Sequence, residues 1–217
     1  MRYAIWGAVA VTANANRREY RMQTTWLPHF LTNTLTLLLP DALRLLIPRS
    51  RKPAHFVEAV MVEMVRDSDD YGLYVAPLAA GYILSHPKYN IFKGEIAEKR
   101  FLGLGPDAIP HSATGFALSM LVIDTLDTTC HIEPSTSPLA QLARTCNQRP
   151  ALTSLAVLSA LTFVWEYGEY RVHHHELALR GDISKINMMW SADDTVRDVV
   201  ANLLGWVAAV LIRRKRT

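Results

Sequence analysis

Residues 151–176 read ALTSLAVLSALTFVWEYGEYRVHHHE, and this stretch decides the fold class. Ala151 to Trp165 carries no charge for fifteen residues, and Leu155 to Val164 (LAVLSALTFV) is apolar on every side of a helix. A soluble amphipathic helix keeps a polar face at the 3.6-residue period, whereas an all-round apolar helix is buried in a core or in a bilayer. Directly after this run come Glu166, Glu169, His173 and Glu176 at steps of three, four and three. If the helix continues through His173-His174-His175, those side chains form one polar stripe.

Four other apolar stretches surround this one. Leu27 to Ile47 is interrupted by Pro40 and reads as one kinked helix or two short ones. Tyr71 to Ser85 is uncharged, Ala108 to Ile123 is uncharged apart from His111, and Val199 to Ile212 ends at Arg213-Arg214-Lys215-Arg216, as at a membrane face. Each is somewhat shorter than the ~20 apolar residues of a full crossing. Inward-turned or interfacial polar residues extend the spans to 71–86, 108–125, 151–171 and 195–212. Tryptophans 26, 165, 190 and 206 lie near segment ends, where indoles anchor to headgroups. The segment Ala54 to Arg66 mixes apolar clusters with His55, Glu58, Glu63 and Arg66, and Pro53 suits its first turn.

The expected fold is therefore all-α: a polytopic membrane helix bundle of four to six transmembrane segments with one amphipathic interfacial helix. The chain of 217 residues forms a single integral membrane domain, residues 1–217, in the cell (inner) membrane, multi-pass. Its partner is then the lipid bilayer, with other membrane proteins or a second copy as further candidates. Lys+Arg 23 against Asp+Glu 20 is too even a balance to favour nucleic acid, and half of the residues are hydrophobic at a mean hydropathy of +0.07. A soluble bundle of mutually buried fifteen-residue helices is the competing fold.

Met1-Arg2-Tyr3, the apolar Ala4 to Val11 and Ala13-Asn14-Ala15 have the pattern of a secretory signal with an A-x-A site. The apolar core is short for that role, and a short N-terminal helix is the preferred reading. Cys130 and Cys146 fall in a connection, 128–150. With the basic tail cytoplasmic they stay reduced, and the inverse topology would allow a disulfide.

Ionisable residues in such segments are informative because each costs roughly 2.5–3.5 kcal/mol at the bilayer centre unless it finds a partner. Three pairs have one-face spacing: Asp107 with His111, Glu166 with Glu169, and Asp194 with Asp198. Asp194, Asp198, Asn202 and Gly205 continue as a line on the last helix. Three polar stripes converge most easily on a shared interior site. Plainer roles stand beside each: Ser191 to Asp194 has the S-x-x-D form of a helix start, Asp193 with Arg197 reads as a surface pair, and the histidine run could be a solvated loop.

Carboxylates and imidazoles from three helices suit zinc, manganese or iron, so the candidate ligands of a divalent metal ion are Asp107, His111, Glu166, Glu169, His173, Asp194 and Asp198. With water activated by the metal, Glu166 or Glu169 would be the catalytic base of a hydrolase acting on a lipid or cell-envelope substrate. The same acids without a metal would serve a proton- or cation-coupled transporter. They could equally tie helices together in a non-catalytic subunit of a larger membrane complex.

Asp107-x-x-x-His111, Trp165-Glu166-x-x-Glu169, and Trp190 ahead of Asp194-Thr195-x-x-Asp198 with Gly205 beyond resemble the bacterial inner-membrane proteins typified by YjdF. Asp198 to Gly205 also resembles the last helix of VanZ-like membrane proteins. The likeness covers residues 107–212, about half of the chain, and implies a multi-spanning bundle with a shared polar site. In place of a Gly-Thr-Gln-Gly-Asp approach to the final aspartates, this chain has Arg180-Gly181-Asp182 followed by eight other residues and Ser191.

Overall fold

A computed structural model describes residues 1–20, 26–132, 138–183, 186 and 189–216, with the backbone alone at 215 and 216. Among the described residues the regular elements are helices and no sheet forms, as the sequence implies. The helices are α1 (Arg2–Glu19), α2 (Trp26–Leu46), α3 (Phe56–Met61), α4 (Tyr71–Ile83), α5 (Ala108–His131), α6 (Pro138–Asn147), α7 (Pro150–Arg180) and α8 (Ala192–Arg216).

Two of these, α7 and α8, are long and apolar enough to cross a membrane. The four to six crossings expected from the sequence reduce to these two on length and composition. Helix α4 has 13 residues, about 20 Å at 1.5 Å per residue, well short of a ~30 Å hydrocarbon core. Helix α5 has 24 residues but carries His111, Asp124 and Asp127. Of the 27–47 stretch, all but Ile47 lies in one helix, Trp26–Leu46, that runs through Pro40.

The expected amphipathic helix over 54–66 is instead the short α3 followed by a π turn, Val62–Arg66, closed by the Asp67 amide on the Val62 carbonyl at 2.9 Å. Pro53 lies outside it, because the helix starts after His55. Val62, Met64, Val65 and Arg66 are buried, so the segment packs on its own bundle.

An N-terminal core joins Val9 of α1, Leu37 and Leu43 of α2, Val62 and Val65 of the π turn, and Tyr71 and Val75 of α4. Arg2 fastens α1 to α2 through Asp41, at 3.1 Å, and the Leu37 carbonyl. Helix α4 carries this half onto α5 and α8, where Tyr74, Met120 and Ala209 are buried together.

Helices α5 and α8 touch backbone to backbone. A Cβ at Gly205 would lie 2.0 Å from the Ser112 carbonyl oxygen, and one at Gly115 2.5 Å from that of Asn202. His111 faces Asp198 near their starts and Asp124 faces Arg213 near their ends, so the two helices run parallel. Helix α7 runs antiparallel to α8: Glu166 meets Thr195, Thr162 meets Asn202, and Trp206 donates to the Ala151 carbonyl and Ser154. Trp206, expected as a segment-end indole, is thus an inter-helix strut within α8.

Pro150 opens α7 in its first turn, and Gly181, at φ +62°, closes it with its amide on the Leu177 carbonyl. The helix thus runs through the histidine triplet instead of ending before it. Part of the 128–150 connection is also helical: Cys130 lies in α5 and Cys146 in α6, and both are free thiols. Residues 133–137 of that connection, and the side chains of Lys215 and Arg216, lie outside the described residues.

Two predictions test this architecture. Gly205→Ala is expected to lower stability by about 1–3 kcal/mol, because its methyl meets backbone that cannot rotate away. Gly168→Ala, with open space around it, should be neutral or stabilising by up to ~1 kcal/mol. Thermal unfolding of the purified variants separates the two.

The second concerns Arg66, which is buried, donates to the Ile47 carbonyl at 2.7 Å and pairs with Asp67 at 2.7 Å. That guanidinium hydrogen bond holds the Asp67 carboxyl below the usual carboxylate range. A carboxyl lowered by folding stabilises above its unfolded value of about 3.9, and the contribution is lost as pH falls through the folded value. Asp67→Asn should therefore unfold at lower temperature than wild type at neutral pH, with the gap closing on acidification below that value.

Candidate functional site

Several ionisable residues of α7 point inward while most of its large apolar residues point out. Its buried residues are Ser154, Leu158, Glu166, His173 and Glu176, so three of the five are ionisable. Phe163, Val164 and Trp165, on the other side, are each half or more exposed. Only 17% of the apolar stretch of α7 and 28% of that of α8 is buried. This is the reverse of a water-soluble bundle, in which apolar faces meet and polar faces are wet.

The inward side chains meet at one end of the α5–α7–α8 group. Asp198 is 4% exposed, and its Oδ1 lies 3.4 Å from His111 Nε2. Glu166, 7% exposed, accepts a hydrogen bond from Thr195 Oγ1 at 2.6 Å through Oε2. Its other oxygen, Oε1, is buried with no hydrogen-bond partner among the described residues. Glu169 accepts from Trp165 Nε1 at 2.8 Å. Asp107, Asp194, Glu166 and Glu169 all lie close enough to Asp198 to act on its charge. Among the described residues no lysine or arginine pairs with Glu166, Glu169 or Asp198.

The local sequence explains these positions. Ser191 caps α8 by accepting from the Asp194 amide at 3.1 Å, which fixes the start of the helix and points Thr195 and Asp198 one turn in. Asp194 is thus both a first-turn acid and a neighbour of the site. Its cation is Arg197, at 3.4 Å, so the expected Asp193–Arg197 surface pair is replaced by one three residues apart. One turn further along, Asn202 donates to Thr162 Oγ1 at 3.2 Å.

Of the seven residues expected as metal ligands, six gather here: Asp107, His111, Glu166, Glu169, Asp194 and Asp198. His173 is set apart, two turns along α7, where its Nδ1 accepts from the Trp190 amide at 3.3 Å. That bond ties α7 to the strand of chain entering α8. His174 and His175 are exposed, with His174 against the Tyr170 and Trp190 rings. Among the described residues, no three Asp, Glu, His or Cys side chains converge as a metal-ligand set.

Thr195 and Thr162 are absent from the sequence-derived site. Uncharged hydroxyls give no signal against the many threonines of this chain, and only the α7–α8 pairing identifies them. The same holds for a second polar group at the opposite end of α5 and α8. There Arg213 pairs with Asp127 at 2.8 Å and Asp124 at 3.4 Å, and the Tyr74 hydroxyl donates to Asp124.

No protein-family model, curated protein or solved structure matches this chain. The chemistry of the site rests on its own residues. Its acids can hold a proton or a cation, the imidazole can pass a proton to Asp198, and the Glu166–Thr195 bond orients one carboxylate.

Thr195→Val should remove the one hydrogen bond that the Glu166 carboxylate receives among the described residues and lower stability by about 1–3 kcal/mol. In a double-mutant cycle with Glu166→Leu, most of that loss should disappear, because the orphaned oxygen is gone. Equal losses in both backgrounds would show that the Thr195 effect is not exerted through Glu166.

Proposed function

We propose that this is an integral protein of the cell (inner) membrane, multi-pass, whose acid and imidazole site exchanges protons for a cation, as the coupling site of a proton- or cation-linked carrier. The observation that carries this reading is the inward gathering of Asp198, His111, Glu166 and Glu169 between helices whose outer faces are apolar and exposed. Acids that outnumber their basic partners in a low-dielectric bundle attract positive charge, and intramembrane carboxylates of this kind mark ion pathways.

The lengths agree with a bilayer. From Pro150 to Tyr170, α7 covers about 30 Å, the thickness of a hydrocarbon core, and Trp165, Tyr167, Tyr170 and Trp190 cluster toward the far end like an interfacial belt. On α8, Asp198 is about 22 Å from Arg213, so the site would lie just inside the face opposite the basic tail. Because α5 is parallel to α8 and in backbone contact with it, it would occupy the same depth as a third crossing.

The hydrolase reading needs a metal centre. Asp198, His111 and Glu166 have the right donor chemistry for zinc, manganese or iron, but the described donors form pairs and not a ligand set. Cation exchange asks less of the geometry and is therefore preferred.

The protein should remain in the membrane fraction after an alkaline carbonate wash. In weakly buffered detergent, adding sodium, manganese or zinc ions should release protons from wild type, and Asp198→Asn should lose most of that release. Folded wild type that releases none with any of these cations would sink the proposal. Elemental analysis provides the other arm: near-stoichiometric metal retained through purification and lost in Asp198→Ala would replace it with the metal-dependent reading.

A further inference from the structure

A groove of about 160 Å3 runs between α7 and α8. Leu158, Phe163, Val199 and Leu203 form its apolar walls, and Glu166 with Thr195 closes the end nearest the acid site. Thr162 and Asn202, midway along, hydrogen-bond to each other. Thr195 satisfies Glu166 Oε2, and the buried lining acceptor left without a donor among the described residues is Glu166 Oε1. A buried acceptor in that state is costly to the fold, and a ligand N–H that meets it as the carboxylate turns toward the groove is one means of satisfying it.

We infer that this groove binds a small primary ammonium ion bearing an apolar group, with the ammonium on Glu166 and the apolar part between Leu158, Phe163, Val199 and Leu203. This names the substrate class of the cation site and rests on the reading that α7 and α8 cross the bilayer. Charge complementarity selects a cation: Asp194 acts on Glu166, Glu166 acts on both Glu169 and Asp198, and no lysine or arginine pairs with these three among the described residues. The missing donor selects a primary amine over a quaternary one, which has no N–H to offer. Volume limits the apolar part, since a cavity of ~150 Å3 takes a benzene ring. Access follows from Phe163 and Leu203, which are exposed on the flank that would meet lipid, beside the aromatic belt where amphiphilic amines collect.

The test uses the purified full chain in lipid nanodiscs, with benzylammonium as the probe and binding followed by calorimetry. Wild type should bind it saturably, and benzyl alcohol and benzyltrimethylammonium at least about tenfold more weakly. Glu166→Gln should weaken benzylammonium by a similar factor. Leu203→Trp, which fills the groove without touching an acid, should do the same and serves as the second variant if Glu166→Gln misfolds. Non-saturable uptake that neither variant changes is partition into lipid and would overturn the inference. Displacement of the probe by phosphatidylethanolamine but not by phosphatidylcholine would assign the groove to a lipid headgroup and also overturn it. The two proposals fail separately. Saturable amine binding with no cation-linked proton release would leave the groove without the exchange function, and Asp198-dependent proton release with no amine binding would leave the exchange without the groove.

Discussion

The backbone contact of α5 with α8 is the constraint on which the site depends. With no side chain at Gly115 or Gly205, the two helices approach until carbonyl oxygens fill the space where a methyl would be. Small residues that permit such approach are a recurrent way of joining helices in a bilayer, where van der Waals packing replaces the hydrophobic drive. At that separation the register is fixed along the whole pair. One end brings His111 to Asp198, and about 22 Å away the other brings Asp124 and Asp127 to Arg213.

Helix α7 completes the site from the opposite direction. Its antiparallel run along α8 is held by three polar ties, Glu166–Thr195, Thr162–Asn202 and Trp206 to the Ala151 carbonyl, spaced along the interface. Between two of them the packing opens into the groove that ends at Glu166. Helix α7 gives few apolar residues to this interface and turns most of them outward. Polar ties and an apolar exterior are what a hydrocarbon surrounding selects, because an unsatisfied polar group there has no water to turn to.

The two ends of the α5–α8 pair differ in electrostatic character. At the Arg213 end Asp124 and Asp127 share one guanidinium, and the Tyr74 hydroxyl donates to Asp124, so each acid there has a donor. At the His111 end the acids outnumber their basic partners, and one carboxylate oxygen has no donor. The first arrangement is a structural lock between helices, and the second is the one we propose exchanges positive charge.

The helical class and the facing of the polar stripes on α7 and α8 were legible in the sequence, and six of the seven residues it put forward as candidates lie near one another in the structure. Periodicity reports which side chains share a face, and a carboxylate beside fifteen uncharged residues has few places to go. His173 followed the same stripe yet stands apart, because periodicity gives direction around a helix and not depth along it. The number of long apolar helices and the π turn at Val62–Arg66 were set by packing that local composition does not encode. Only the tertiary structure decided that α5 and α8 are parallel, that Thr195 and Thr162 face Glu166 and Asn202, and that a groove lies between α7 and α8. The physical reason is that two glycines and a few hydroxyls carry little sequence signal, while the backbone approach they allow determines which distant residues meet.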